Sequence, residues 1–204
     1  MRKQLRAAAA FVVLFCSSGA LAAAQDVTQA DKDRAVQYLE KTKQGVLEAT
    51  KGLSDAQWNF KAGPDRWSIA QVMEHIAAAE DYIRGVDAER VMKAPAAPAD
   101  HDAKKTDDAV LTNIPDRSHK IQAPEPLVPT NRFGSPDNSL KHFVESREKT
   151  EEFVKNTPGL RDHAADSPMG KLDGYEFVLL IAAHSERHTK QILEVKADPN
   201  YPKN

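Results

Sequence analysis

Apolar side chains recur at three- and four-residue steps in four separate stretches of this chain, and each stretch predicts a helix with one buried face. The first runs from about Thr28 to Lys51 on the stripe Ala35, Tyr38, Leu39, Thr42, Val46, Ala49 and Leu53, with Gly52 as the stop. A short helical turn follows, capped by Ser54 with Gln57 three residues on, the reciprocal pairing of a capping box. Trp58 and Phe60 then lead into a Gly63-Pro64 breaker. The second helix opens on another box, Ser68 with Gln71, and Trp67 is placed to staple it. Its buried face is Ile69, Val72, Met73, Ile76, Ala79, Ile83 and Val86, ending near Val91. The third carries Pro136 in its first turn and the stripe Leu140, Phe143, Val144, Arg147, Thr150, Phe153 and Val154, and Thr157-Pro158-Gly159 closes it. The fourth starts at Asp173, boxed with Glu176, and runs to about Lys196 on Phe177, Ile181, His184, His188, Ile192 and Val195.

With no convincing alternating run to suggest a strand, the pattern predicts an all-α, antiparallel four-helix bundle, one domain over residues 25–204. The pattern lapses between Met92 and Ser135, which hold six of the twelve prolines. So long a connection is a functional cover or is partly disordered. Its charged front, Ala94 to Asp108, offers too little apolar surface to offset ordering and is expected to be mobile. Its back has Ile121, Leu127, Val128 and Phe133 to bury, and is expected to lie over one end of the bundle near the site.

The first two dozen residues stand outside this fold. Arg2, Lys3 and Arg6 precede an apolar run from Ala7 to Cys16 and small-residue A-x-A sites ending at Ala22 and Ala24. That layout predicts a signal peptide over residues 1–24 and a periplasmic or secreted protein, since the run is short for a permanent span. Cys16 is the only cysteine, so a mature chain has neither disulfides nor a thiol ligand. Without the three basic leader residues, 25 Lys and Arg face 30 Asp and Glu, a net charge near −5. A mildly acidic surface argues against nucleic acid or anionic membrane as partner. A small-molecule substrate is expected, and a homodimer is allowed.

The candidate chemistry lies in histidines. His184 and His188, four residues apart, differ by about 40° of helical rotation, so both imidazoles leave one face. They also lie within the apolar stripe, and buried imidazoles need partners at a cost of roughly 1–3 kcal/mol if they lack them. A shared metal and separate hydrogen bonds answer that need equally well. His75, on the flank of the second helix's buried face, makes a third inward imidazole, matching a catalytic-type site with one open position. The segment reads H-x-E-x-H rather than the H-E-x-x-H of zinc proteases, so Glu186 faces away from the metal side. Glu74 and Glu80 are rotated off His75 as well. Tyr82 and Gln191 share the ligands' faces and, with Arg132 on the connection, are candidate substrate contacts. His101, His119, His142 and His163 read as solvated surface residues.

Three stretches resemble the DinB-like (damage-inducible) superfamily of metal-dependent proteins: Leu53 to Asp81 with its W-S-I-A…E-H block, Pro124 to Pro136, and Leu172 to Ile192 with H-x-x-x-H. The resemblance implies a four-helix bundle and a metal held by one His of helix two and a pair on helix four, here His75, His184 and His188. Zinc leads as the divalent metal, with nickel, iron and manganese as alternatives. It also implies a metal-dependent enzyme of thiol-transferase or hydrolase type, with non-catalytic metal or small-molecule binding in the cell envelope as the alternative. Low-molecular-weight thiols are scarce outside the cell, so the leader counts against thiol transfer.

Overall fold

The computed structural model describes residues 26–203. Its helices are α1 (Gln29–Thr50), α2 (Asp55–Asn59), α3 (Ile69–Asp81), α4 (Glu89–Val91), α5 (Ala103–Asn113), α6 (Pro136–Asn156) and α7 (Gly174–Lys196). A π-helical stretch, Tyr82–Ala88, joins α3 to α4, so the expected second helix reaches Val91 with its register shifted on the way. The boxes expected at Ser54, Ser68 and Asp173 all form, and Thr28 with Asp31 makes a fourth. The leader, with Cys16, and the side chain of Val86 lie outside the described residues.

Four long helices form the bundle: α1, α3 with its continuation, α6 and α7. Both α1 and α3 pack beside α6 and α7, which leaves α1 and α3 on one diagonal and α6 and α7 on the other. The Tyr175 hydroxyl donates to the Asp31 carbonyl near the starts of α7 and α1, and Lys196 Nζ to the Ala49 carbonyl near their ends. Those two helices are therefore parallel. Ile69 to Ala77 share a core cluster with Ile192 and Val195, so α3 runs against α7. Along α6, Phe143 packs with the start of α3, whereas Val154 packs with Ile83 and Val91 farther on, so α6 runs with α3. Two helices thus point each way. Parallel neighbours need a crossover as long as the bundle, roughly 30 Å for about 20 residues. That is why the chain between Val91 and Pro136 is so long.

The connection departs from expectation. Its front contains α5, capped by the Asp102 side chain, with Val110 fully buried and the helix lying against α7. Ala103 to Asn113 carries only one turn of apolar contact, so the order comes from tertiary partners such as Arg161, which pairs with Asp107 at 2.7 Å. Farther on, Leu127 is buried in a 3-10 turn, Glu125–Leu127, and Phe133 is half-buried. Ile121 and Val128, expected to bury, are exposed. A second departure is an antiparallel hairpin, β1 (Ala164–Ser167) with β2 (Gly170–Asp173), just before α7. Its four-residue strands are too short for an alternating pattern, and Gly170 takes the positive φ that turns the chain.

Leu39, Ile76, Phe143 and Ile192 fill the bundle interior, each contributing roughly 1.5–3 kcal/mol by leaving water. Among them lies a charged pair. Arg147, fully buried on the α6 stripe, makes two 2.7 Å bonds to Glu80 and further bonds to the Leu39 carbonyl, Thr42 and Ser185. One arginine ties all four long helices together.

Candidate metal centre

His75 comes from the second turn of α3, and His184 and His188 from successive turns of the antiparallel α7, so the crossing helices bring three imidazoles together. His75 Nε2 lies 3.2 Å from His184 Nε2. The His188 ring is centred 4.5 Å from that of His75 and 4.4 Å from that of His184. One ligand nitrogen from each lies within 4.8 Å of the other two. Trp67, just before α3, closes one side with its ring 5.0 Å from His75.

Two of the rings have fixed tautomers. His75 Nδ1–H donates to the Leu127 carbonyl at 2.8 Å, an oxygen that can only accept, so Nε2 keeps its lone pair. His188 Nδ1–H donates to Gln191 Oε1 at 2.8 Å, with the same result. Burial pushes His184 and His188 well below the usual imidazole range, and the neighbouring His rings push the same way. Burial lowers His75 too, against the pull of the Leu127 carbonyl. The three rings are therefore neutral at pH 7. His75 and His188 are buried, and His184 is the partly exposed one.

These residues fit a divalent ion. Two imidazole nitrogens on one tetrahedral ion at 2.0–2.1 Å stand about 3.3 Å apart, close to the 3.2 Å between His75 and His184. A hydrogen bond between two rings would give the same spacing. The third ring is what distinguishes the cases, because a pair needs no third lone pair beside it. Oriented Nδ1–H groups are also the usual outer support of imidazole ligands.

The other candidates are placed differently. Gln191 supports His188 and accepts a 3.4 Å bond from Arg117 Nη1. Arg132 turns to its own loop: its guanidinium binds Glu74 and the Pro126 and Val128 carbonyls. Tyr82 ends α3 and packs against the core cluster that holds Ile83 and Val91, with no bond linking it to the histidines. Burial would raise the Glu74 pKa, but the backbone N–H groups of Thr130, Asn131 and Arg132 outweigh it and hold the carboxylate below its usual range. Glu186, expected on the surface, is half-buried and accepts from Tyr38.

His101 was expected in solvent and is not there. Its Nε2 lies 2.8 Å from Glu176 in a buried cluster with Asp173 and Arg161 at the start of α7. His163 bonds the Ala94 carbonyl at 2.7 Å and His142 the Asp81 carboxylate at 2.5 Å. Spacing carries no trace of these contacts, which join residues 61 to 75 positions apart. A cavity of about 970 Å³ opens beside His101, Asp107, Arg161 and Tyr175, and none of the three clustered histidines lines it.

The DinB superfamily model matches residues 38–192, which include His75, His184 and His188. The uncharacterized protein YuaE of Bacillus subtilis (strain 168) is 28% identical over 155 residues, covering 72% of this chain and 87% of its own. Among solved structures, YfiT from Bacillus subtilis, described as a probable metal-dependent hydrolase with an unusual four-helix bundle topology, superposes with a TM-score of 0.56 at 16% identity. That match covers 88% of this chain and 93% of YfiT and bears on the fold alone. The match over residues 38–192 takes in part or all of each of the four bundle helices, and the chain belongs to the DinB superfamily.

Proposed function

We propose that this is an exported metal-dependent enzyme of hydrolase type, in which His75, His184 and His188 hold one divalent ion, zinc before nickel, iron or manganese. The observation that carries the reading is the convergence of three neutral imidazoles, two of them with Nδ1 committed elsewhere. A divalent ion with three protein ligands supplies Lewis acidity at its remaining position and favours the deprotonated form of a group there. His75 and His188 would bind the ion through Nε2, with the Leu127 carbonyl and Gln191 holding the protons on their far nitrogens. His184 is the one partly exposed ring of the three, so a small substrate would approach on its side, and Trp67 packs against His75. The description of YfiT as a probable metal-dependent hydrolase supports the reaction class. The leader read in the sequence supports it as well, since thiol transfer needs a thiol pool that an exported protein would not meet.

One observation favours non-catalytic binding instead. Glu74, Glu80 and Glu186 are each engaged by other residues, so none stands free as a general base. Elemental analysis of the mature protein, then an ester, amide and phosphoester screen with a parallel thiol-and-electrophile arm, separates the readings. One metal per chain with chelator-sensitive hydrolysis is expected. Metal without turnover would favour binding, and a metal-free native protein would overturn both. Intact mass tests export: a mature form starting near Ala23 or Gln25 is expected, and an uncleaved cytoplasmic product would return thiol transfer to the lead.

A further inference from the structure

The connection between α4 and α6 touches the histidine cluster directly at His75 and reaches His188 only through Gln191 of α7, and the two supports differ in kind. At His75 it presents a backbone carbonyl, which has no wrong end. At His188 the acceptor is the Gln191 side chain, which has an oxygen on one side and an NH2 on the other. With the NH2 turned inward, Nδ1 would face a donor, and His188 would shift its proton to Nε2 to accept from it. The lone pair on the metal side would then be lost. Something must hold the amide the right way round.

Arg117 is placed to do so. It lies just past α5 and carries donors only, so it can face the amide oxygen but not the NH2. Its Nη1 meets Gln191 Oε1 at 3.4 Å, while Nε and Nη2 grip Glu194, one turn of α7 from Gln191, at 2.6 and 2.8 Å. The paired bonds to Glu194 fix the plane of the guanidinium and hence the aim of Nη1. A carbonyl-type oxygen has two lone pairs, so Oε1 accepts from Arg117 and His188 together. Neither contact is visible in sequence spacing, since Arg117 and Gln191 are 74 residues apart.

We propose that Arg117 is a positioning residue of the metal centre, orienting the Gln191 amide so that His188 keeps its proton on Nδ1 and offers Nε2 to the ion. The proposal rests on the three-histidine reading for its consequence, but the tautomer it assigns belongs to the metal-free protein. A carboxylate at position 191 would make the residue dispensable, because both of its oxygens accept. A role limited to tying the connection to α7 would instead cost the same whatever stands at 191.

The test is a double-mutant cycle with two readouts. Long-range 1H–15N spectra of the metal-free protein, labelled at histidine, report which His188 nitrogen carries the proton. Competition with a chromogenic chelator gives the Zn2+ affinity. Wild type is expected to show the Nδ1–H form, and Arg117→Ala a mixture containing Nε2–H, with Zn2+ affinity down by about tenfold. Placed on Gln191→Glu, Arg117→Ala should leave the Nδ1–H form intact and lose most of that penalty. Lys190→Ala, which removes a bond from α7 to the Pro115 carbonyl of the connection but leaves Arg117, Gln191 and Glu194 in place, should keep the tautomer and so controls for loosening of the connection. An unchanged tautomer in Arg117→Ala, or an equal affinity loss in both backgrounds, overturns the proposal. If wild type binds no Zn2+, the assignment of zinc falls while the spectra still decide the role of Arg117.

Discussion

Two buried clusters on α7 contain histidine beside other ligand-type residues, and they solve opposite problems. From the middle of the helix onward, His184 and His188 join His75 of α3 to bring together three neutral rings. At its start, His101 meets Asp173 and Glu176, with Asp107 close by, and Arg161 lies in their midst with 2.7 Å bonds to Asp173 and Asp107. Counted by residue type, either cluster suits a cation. The second already has one. Arg161 occupies the carboxylates from within the chain, stacked 4.5 Å over the Tyr175 ring. Spare lone pairs, rather than the number of ligand-type side chains, are what make the first cluster the candidate for an external ion.

Removing Arg161 tests that contrast most severely. Arg161→Ala strands buried carboxylates and should cost about 3–5 kcal/mol, read by chemical denaturation, with metal content unchanged. A loss of metal in this variant would mean that the clusters are not independent. At the other cluster, His75→Ala, His184→Ala and His188→Ala should each sharply reduce metal content by elemental analysis. Stripping the ion with chelator should lower the melting temperature of wild type, by the equivalent of about 2.7 kcal/mol where the free ion stood at a hundred times its Kd. The three variants should show no such response.

Proton linkage separates the clusters next. Burial first, then the Asp173 charge, pushes Glu176 up to about 9. A carboxyl group raised above its unfolded value binds its proton more tightly in the fold. Its contribution to stability is therefore fully present below the unfolded pKa of about 4.3 and declines as pH rises towards 9. Glu176→Gln keeps the shape and the cap acceptor, so its melting temperature should fall less than that of wild type between pH 5 and 9. Parallel curves would place the titration elsewhere. The smallest effect is expected from His101→Ala, which removes one hydrogen bond at a cost of about 1–3 kcal/mol and should leave the metal content at the wild-type value.

Much of the fold was legible because the signals are local. Ser68 with Gln71, and Asp173 with Glu176, set helix starts through residues three apart, and Pro136 and Gly159 mark ends that any α-helix would respect. Arg147 was legible only as a member of the third helix's stripe, because its partner Glu80 lies 67 residues away. The π-helical stretch at Tyr82–Ala88 was not legible, since one inserted residue per turn leaves the apolar spacing nearly helical. Helix α5 was missed for a different reason. Its own apolar surface is slight, and its stability comes from Arg161 and the flank of α7.

The sequence by itself determined four amphipathic helices, their caps, and a pair of histidines on one face of the last, because each depends on contacts within a few residues. It also raised His75 as a third member, from its place on the flank of the second helix's buried face, and the resemblance to a known family strengthened that reading. Only the tertiary structure decided that α3 and α6 run parallel, which makes the long connection a crossover, and that this crossover reaches both His75 and Gln191. Likewise it alone set Arg161 among the carboxylates and, among the described residues, left the three imidazoles without such a cation in their midst. Spacing fixes which face of a helix a side chain occupies; what meets that face is set by packing between segments far apart in the chain, on which local spacing has no hold.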